Sequence, residues 1–137
     1  MQYWLIKSEP FKYSWEQFVA DKRTFWDGVR NYQARNNLMQ MAKGDLCIFY
    51  HSNEGKEAEG IAKVVKTHYP DPTAADEPGD WVVVDVAPQQ KLKRPVTLAE
   101  MKADPRLSQM GLIRQSRLSV VALTKTEFDI IVAHSEG

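Results

Sequence analysis

The chain has 137 residues, of which 43% are hydrophobic and 26% are charged, and its 18 basic and 18 acidic side chains give a formal net charge of zero. This size and composition fit one domain with its own hydrophobic core, so we expect a single domain over residues 1–137. Proteins that grip long stretches of phosphate backbone are usually basic, so zero net charge argues against strong, sequence-blind duplex binding. It leaves room for a local basic patch or for recognition of one nucleotide.

Cysteine usage and apolar runs bear on the cellular compartment. The one cysteine, Cys47, lies in the apolar run 46–49, where we interpret it as a buried thiol. An internal disulfide is therefore excluded, which fits a reducing compartment. The N-terminal residues have no signal-peptide pattern, and no apolar run approaches the ~18 residues that a membrane span needs. We expect a cytoplasmic protein, or a nuclear one in a eukaryotic cell, with no membrane partner.

The first half of the chain predicts two strands and two short helices. Pro10 ends the first strand because proline cannot donate to a β-ladder. Ser14 and Gln17 form a capping-box pattern that opens the first helix. In chain order, the predicted segments are a strand at 2–7, a helix at 14–22, a turn at 26–28, a helix at 31–41, a strand at 46–51 and a turn at 53–56.

The second half contains the strongest β signals. Residues 69–80 carry three prolines and a glycine, so we expect a long hairpin connection without regular structure. Two further capping boxes, Thr97 with Glu100 and Thr124 with Glu127, open helices. In chain order, the predicted segments are a strand at 60–69, the connection, a strand at 81–86 that continues bent or at an edge into 89–95, a helix from 97, a helical turn at 107–110, a strand at 118–122 and a terminal helix whose apolar face holds Phe128, Ile131 and Val132.

The resulting order is β-α-α-β-β-β-α-β-α. Adjacent strands joined by hairpins favour antiparallel pairing. The sequence therefore predicts an α/β protein of the α+β type: a small, partly closed, mainly antiparallel β-barrel flanked by helices. A doubly wound parallel sheet is disfavoured because the middle strands lack helical crossovers.

Polar recognition chemistry is concentrated in residues 26–37, which hold two arginines, three asparagines, one glutamine and two aromatic rings. Side-chain amides carry the donor and acceptor needed to read a base edge, and arginine matches phosphate. Trp26 is the best candidate for stacking on a planar ligand, followed by Trp4. The alternative is an ordinary solvated helix surface.

A second candidate region is the end of the strand at 46–51. Tyr50, His51 and Ser52 come just before a glycine-containing turn, and strand ends at the mouth of a barrel often carry ligand groups. The alternative for His51 is a histidine hydrogen-bonded to a turn backbone.

Enzyme signatures are weak. Three histidines are scattered, and there is no Gly-rich nucleotide motif, P-loop or nucleophile elbow, so we expect no metal and no cofactor. Lys7, Ser8 and Glu9 offer a base, a nucleophile and an acid in series. Successive strand residues alternate faces, so these three converge only if the strand breaks before Pro10.

Long ordered motif blocks cover nearly the whole chain. They are Tyr-Trp-Leu-x-Lys-Ser-Glu-Pro at 3–10, Tyr-Ser-Trp at 13–15, Trp-Asp-Gly-Val-Arg-Asn-x-Gln-Ala-Arg-Asn at 26–36, Gly-Asp at 44–45, Phe-Tyr-His-Ser at 49–52, Gly-Ile-Ala at 60–62, Tyr-Pro-Asp-Pro-Thr at 69–73 and Gln-Ser-Arg-Leu-Ser-Val at 115–120. The blocks resemble those of the EVE domain family, a branch of the PUA-like superfamily.

This resemblance implies one EVE (PUA-like) domain whose pocket accepts a flipped nucleobase, including a modified one, in DNA or RNA. The implied partner is a nucleic acid carrying a modified base, or a modified nucleoside. The implied base pocket comprises Trp4, Trp26, Asn31, Tyr50, His51, Ser52 and Ser116. The implied phosphate or polar contacts are Lys7, Ser8, Arg30, Gln33, Arg35, Asn36, Arg117 and Ser119.

Two alternatives remain beside this binding module, which we favour over an enzyme. One is a small amidohydrolase acting on a modified nucleoside, with Lys7, Ser8 and Glu9 as candidates, similar to the ASCH branch of the same superfamily. The other is a scaffold whose pocket binds a peptide or small metabolite.

Overall fold

One mixed sheet carries the fold in the computed structural model, which describes residues 1–137. Helices and short 3₁₀ turns flank it. The elements in chain order are β1 Tyr3–Ser8, α1 Trp15–Asp21, β2 Thr24–Phe25, α2 Tyr32–Gln40, β3 Leu46–His51, β4 Glu57–Pro70, a 3₁₀ turn Pro72–Ala74, β5 Val82–Thr97, α3 Leu98–Ala103, a 3₁₀ turn Pro105–Leu107, α4 Gly111–Arg114, β6 Val120–Leu123 and α5 Lys125–Glu136. None of the helices is both long and apolar enough to cross a membrane.

The strand order across the sheet is β2-β5-β4-β3-β1-β6. Every neighbouring pair is antiparallel except β1 with β3, which run parallel because α1, β2 and α2 form the crossover between them. The long strands β4 and β5 shift register at several points, including between Ala58 and Gly60. Such irregularities bend a sheet.

The α+β class and the mainly antiparallel sheet flanked by helices are confirmed. The predicted partial closure into a barrel is not found, because the edge strands β2 and β6 do not pair with each other. The parallel β1–β3 pair was not predicted, since the hairpin rule applies only to strands that follow one another directly. β2 was not predicted because two residues are too few to form a periodic pattern.

The capping boxes predicted at three helix starts are complete at two of them and half formed at the third. Thr97 with Glu100 and Thr124 with Glu127 form both halves of their capping boxes. Ser14 accepts from the Gln17 backbone, but the Gln17 side chain donates to Asp21, so the reciprocal half is absent there.

Of two proline-containing segments, the connection at 69–80 differs from prediction, and the continuation of a strand past Pro88 at a sheet edge is confirmed. The connection at 69–80 contains the turn Pro72–Ala74, which Asp71 caps at its N-terminus. β5 runs through Pro88 as one strand, since β2 covers only Asp85 and Val86 and leaves β5 as the sheet edge beyond them.

An aromatic cluster fills the core between the sheet and α1. Phe18 and Phe49 stack with ring centroids 5.3 Å apart, and Trp15 meets both rings edge-on. Trp15 lies directly over Gly60, where a Cβ atom would fall 2.4 Å from the indole. The glycine therefore lets the tryptophan ring pack against the backbone of β4.

A buried carboxylate fixes how β1 meets the rest of the sheet. The Asp45 side chain is 3% exposed and accepts hydrogen bonds from Trp4 Nε1 at 3.0 Å, the Gln2 backbone at 3.1 Å and the Ala42 backbone at 2.9 Å. A buried polar group is stable when its hydrogen bonds are made. Asp45 thus joins the start of β1 to the turn that precedes β3.

We expect Asp45→Ala to lower the free energy of unfolding by about 3 kcal/mol, because it leaves the Trp4 indole and backbone donors without acceptors. Urea denaturation followed by tryptophan fluorescence measures this. Asp129→Ala is the control, since Asp129 is exposed on α5 and pairs only with Lys125. A loss at Asp45 no larger than the control's would contradict the assignment.

Candidate functional site

A polar cavity of about 780 Å³ opens where β1 and β3 end. The two strands are parallel, so their carboxyl ends reach the same edge of the sheet. Ser8 pairs with His51 in register, and the Ser52 backbone donates to the Ser8 carbonyl at 2.9 Å. Fifteen residues line what we call the main cavity: Lys7, Ser8, Glu9, Lys12, Tyr13, Thr24, Phe25, Trp26, Asp27, Gly28, Ser52, Asn53, Ser116, Arg117 and Ser119.

Five of the lining side chains carry serine or threonine hydroxyls, namely Ser8, Thr24, Ser52, Ser116 and Ser119. The Ser8 hydroxyl donates to the Tyr13 carbonyl at 2.7 Å, which holds the 9–13 turn over the end of β1. Lys7 Nζ donates to the Ser116 carbonyl at 2.8 Å, and burial lowers the pKa of that ammonium group. Hydroxyls both donate and accept, so this wall suits a neutral polar ligand.

Aromatic rings form another part of the wall. Trp26 is only 7% exposed because it packs edge-on against Tyr13 and Phe49. Phe25 is 42% exposed and is the ring available to a ligand face. Phe25 was not predicted as a site residue, although the two aromatic residues directly before Asp27 were a usable signal.

The charges in the main cavity are mixed. Glu9 pairs with Lys12 at 3.2 Å. Asp27 and Arg117 also line the cavity, and neither side chain has a hydrogen-bond or ion-pair partner within the chain. The cavity therefore offers one free carboxylate and one free guanidinium group.

The structure brings together about half of the side chains expected from sequence. Those in the main cavity are Lys7, Ser8, Trp26, Ser52, Ser116, Arg117 and Ser119. Asn31 and Gln33 instead line an adjoining groove that shares Ser116 and Arg117 with the cavity. Asn31 also caps α2, because its Oδ1 accepts from the Ala34 backbone at 2.9 Å.

Three expected pocket residues lie in the interior instead. Trp4 is buried against Asp45. Tyr50 is buried in β3, which raises its pKa to about 12. His51 Nε2 accepts from the Trp15 backbone at 3.1 Å, so the histidine bonded to a backbone, our alternative from sequence, is what the structure contains. None of the three lines the main cavity.

Arg30, Arg35 and Asn36 also lie outside the main cavity, and the two arginines fasten the 69–80 connection to α2. Arg30 donates to Asp71 at 3.0 Å and to Glu77 at 2.8 Å. Arg35 donates to the Gly79 carbonyl at 2.7 Å and to Asn36 Oδ1 at 2.9 Å. These bonds, not phosphate contacts, occupy the two guanidinium groups.

The same connection is held by stacked rings and a buried carboxylate. Tyr32 stacks on Trp81 with centroids 5.0 Å apart. Burial alone would raise the pKa of Asp71, but hydrogen bonds from Thr73, Arg30 and Gly28 outweigh it and lower that pKa. The connection is therefore a fixed part of the molecule.

Lys7, Ser8 and Glu9 all line the main cavity, since β1 ends at Ser8 and frees the next residue from strand geometry. No hydrogen bond joins the three side chains, and the Ser8 proton is committed to a carbonyl. The structure contains no group of three or more His, Cys, Asp or Glu side chains arranged to hold a metal ion.

Residues 2–134 match the family model described as the EVE domain. The chain belongs to the EVE domain family. Thymocyte nuclear protein 1 of Homo sapiens is 36% identical to this EVE domain over 166 aligned positions, which cover 98% of this chain and 74% of the relative.

Solved structures are similar over almost the full length of this EVE domain. A protein from Agrobacterium tumefaciens is 43% identical with a TM-score of 0.94, covering 98% of this chain and 93% of that one. The human THYN1 protein, crystallised in complex with DNA containing 5-methylcytosine, is 36% identical with a TM-score of 0.92, covering 100% of this chain and 99% of that one.

The buried His51 predicts a pH-dependent stability. Burial lowers its pKa, which outweighs the raising effect of the Glu16 and Glu57 charges, so the unfolded chain takes up this proton more readily than the native one. The free energy of unfolding should therefore fall as the pH drops from about 6.5, the ordinary histidine value, toward 5. Glu59 acts in the opposite direction, because burial and Glu57 raise its pKa to about 7.

The difference in pH-dependent stability between wild type and His51→Gln isolates the contribution of the histidine. Glutamine keeps an acceptor for the Trp15 backbone but does not titrate, so its stability should fall less between pH 6.5 and 5 in urea denaturation. His68→Gln, at an exposed position on β4, is the control for loss of an imidazole. Parallel curves for wild type and His51→Gln would refute the prediction.

Proposed function

We propose that this EVE domain binds nucleic acid by receiving one flipped, modified base in the main cavity. The observation that carries the proposal is Phe25, a half-exposed aromatic ring inside a cavity lined by hydroxyls. An aromatic ring in the wall of a cavity can stack on a base only after that base has left its own stack. The related human protein, crystallised in complex with 5-methylcytosine DNA, supports binding of a nucleic acid that carries a modified base.

The size and charge of the site support a single base over a long duplex contact. About 780 Å³ lies within the range of small-ligand sites, and a base with its sugar is a ligand of that scale. Only a few basic side chains line the cavity, in agreement with a chain of zero net charge. One domain over residues 1–137 and a cytoplasmic or nuclear address stay predictions that fit this proposal.

Phe25 and Asp27 are proposed to contact different parts of the base, its face and its edge. Phe25 stacks on the face of the base. The free Asp27 carboxylate accepts a hydrogen bond from the exocyclic amino group of a cytosine-type base, as acidic side chains do with cytosine N4. Ser52 and Ser116, which also line the cavity, are proposed to bond the remaining polar edge.

Phe25→Ala should weaken binding of a 12-mer containing one 5-methylcytosine by about tenfold, because it removes one stacking face. Fluorescence anisotropy measures the affinity, and the melting temperature should hold since Phe25 is exposed on a two-residue edge strand. Trp26→Ala and Asn31→Ala are poorer tests, because Trp26 is buried and Asn31 caps α2.

Val19→Ala is the matched control, since Val19 is an exposed apolar residue on α1 away from the cavity. Wild type should bind the methylated strand more tightly than its unmethylated counterpart. Equal affinity of wild type for the two strands, or equal binding by Phe25→Ala and Val19→Ala, contradicts the proposal.

Asp27→Ala should abolish discrimination between 5-methylcytosine and thymine at the central position of a single-stranded 12-mer. The two bases share the methyl group but differ in an amino donor against a carbonyl acceptor, and such a contact is worth roughly tenfold. Competition binding measures the ratio. Asp129→Ala removes the same charge from exposed α5 and should leave the ratio unchanged; an unchanged ratio in Asp27→Ala would remove Asp27 from the site.

A further inference from the structure

A side groove adjoins the main cavity and has a different character. Its volume is about 340 Å³, and it lies between the start of α2 and the segment that joins α4 to β6. It is lined by Asn31, Gln33, Arg114, Gln115, Leu118 and the shared residues Ser116 and Arg117. No acidic side chain lines this side groove, whereas Glu9 and Asp27 line the main cavity.

The arginines of the chain fall into two groups. Five of the seven donate hydrogen bonds to acceptors within the protein: Arg23, Arg30, Arg35, Arg94 and Arg106. Arg114 and Arg117 have no hydrogen-bond or ion-pair partner, and both are exposed. The two free guanidinium groups are thus on one short segment: both residues line the side groove, and Arg117 also lines the main cavity.

This segment is held in place by contacts that leave the two arginine side chains free. Gly111 allows α4 to pack against Val121, since a Cβ atom there would lie 2.6 Å from the valine side chain. Lys7 Nζ fixes the Ser116 carbonyl, and the Leu118 backbone donates to the Gln115 carbonyl at 3.0 Å. The arginines are therefore presented on a rigid edge.

We propose that the side groove binds the phosphodiester backbone of the strand whose base enters the main cavity. Arg114 and Arg117 would each pair with a phosphate, a group that the guanidinium fork matches in shape and charge. Asn31 and Gln33 supply further polar groups from α2. The partner is therefore a continuous nucleic-acid strand, not an isolated nucleoside, and this inference rests on the proposed function.

The salt dependence of binding separates the two sites, because phosphate contacts set affinity and base contacts set specificity. The proteins compared are wild type, Arg114→Gln/Arg117→Gln and Lys43→Gln/Lys102→Gln, which removes two exposed charges elsewhere. Each is titrated with single-stranded 12-mers containing one central 5-methylcytosine or cytosine. The titrations cover about 50 to about 300 mM KCl, a range wide enough to measure how affinity depends on salt.

The arginine double variant should lose about 1.4 from the slope of log affinity against log salt, roughly 0.7 for each phosphate contact to a single strand. Its affinity should fall by a similar factor for both 12-mers, so the preference for the methylated strand is retained. Arg114→Lys/Arg117→Lys keeps the charges and should restore most of the slope. The lysine double variant should match wild type.

The outcomes distinguish the two proposals. A methyl preference in wild type with an unchanged slope in the arginine double variant overturns the side groove as a phosphate site and keeps the base site. Salt-dependent binding that the arginine variant loses, without any methyl preference in wild type, overturns the base site and keeps the phosphate site. Absence of binding by wild type overturns both.

Discussion

The Asp45 carboxylate is the constraint on which the candidate site depends. By accepting from the Trp4 indole and two backbone amides, it holds the start of β1 beside the turn before β3. The crossover between β1 and β3 makes these strands parallel, and with their starts held side by side they also end together. Lys7, Ser8 and Ser52 meet at the main cavity for that reason, although more than forty positions separate the two strand ends in sequence.

The polar side chains of the 26–36 motif serve stability more than their composition suggested. Arg30 and Arg35 fasten the 69–80 connection, and Asn31 caps α2. The free polar groups come from short segments between the regular elements: Asp27 after β2, and Arg114 and Arg117 around the end of α4. A chain with zero net charge can thus present local positive charge, because its other arginines donate to acceptors within the protein.

The sequence was sufficient for the α+β class, for two of three capping boxes and for about half of the cavity lining. It was insufficient where one motif mixes core and surface residues. Trp4 and Trp26 are both aromatic members of motif blocks, and only tertiary packing decides that Trp4 binds Asp45 while Trp26 reaches the cavity. Phe25 was missed because its strand has two residues, so neither periodicity nor alternation marked it.

The fastening of α2 has a consequence for the thermodynamics of recognition. The helix is tied to the 69–80 connection through Arg30 and Arg35 and to β6 through Asn37, whose side chain donates to the Val120 carbonyl at 2.7 Å. A partner therefore meets a preformed surface, and little conformational entropy of the protein is lost on association. On the proposed function, the nucleic acid supplies the deformation, and unstacking a base costs a few kcal/mol. Strands in which the target base is already unstacked are then the better ligands. Weak local stacking and pairing of the nucleic acid should therefore raise its affinity for this domain.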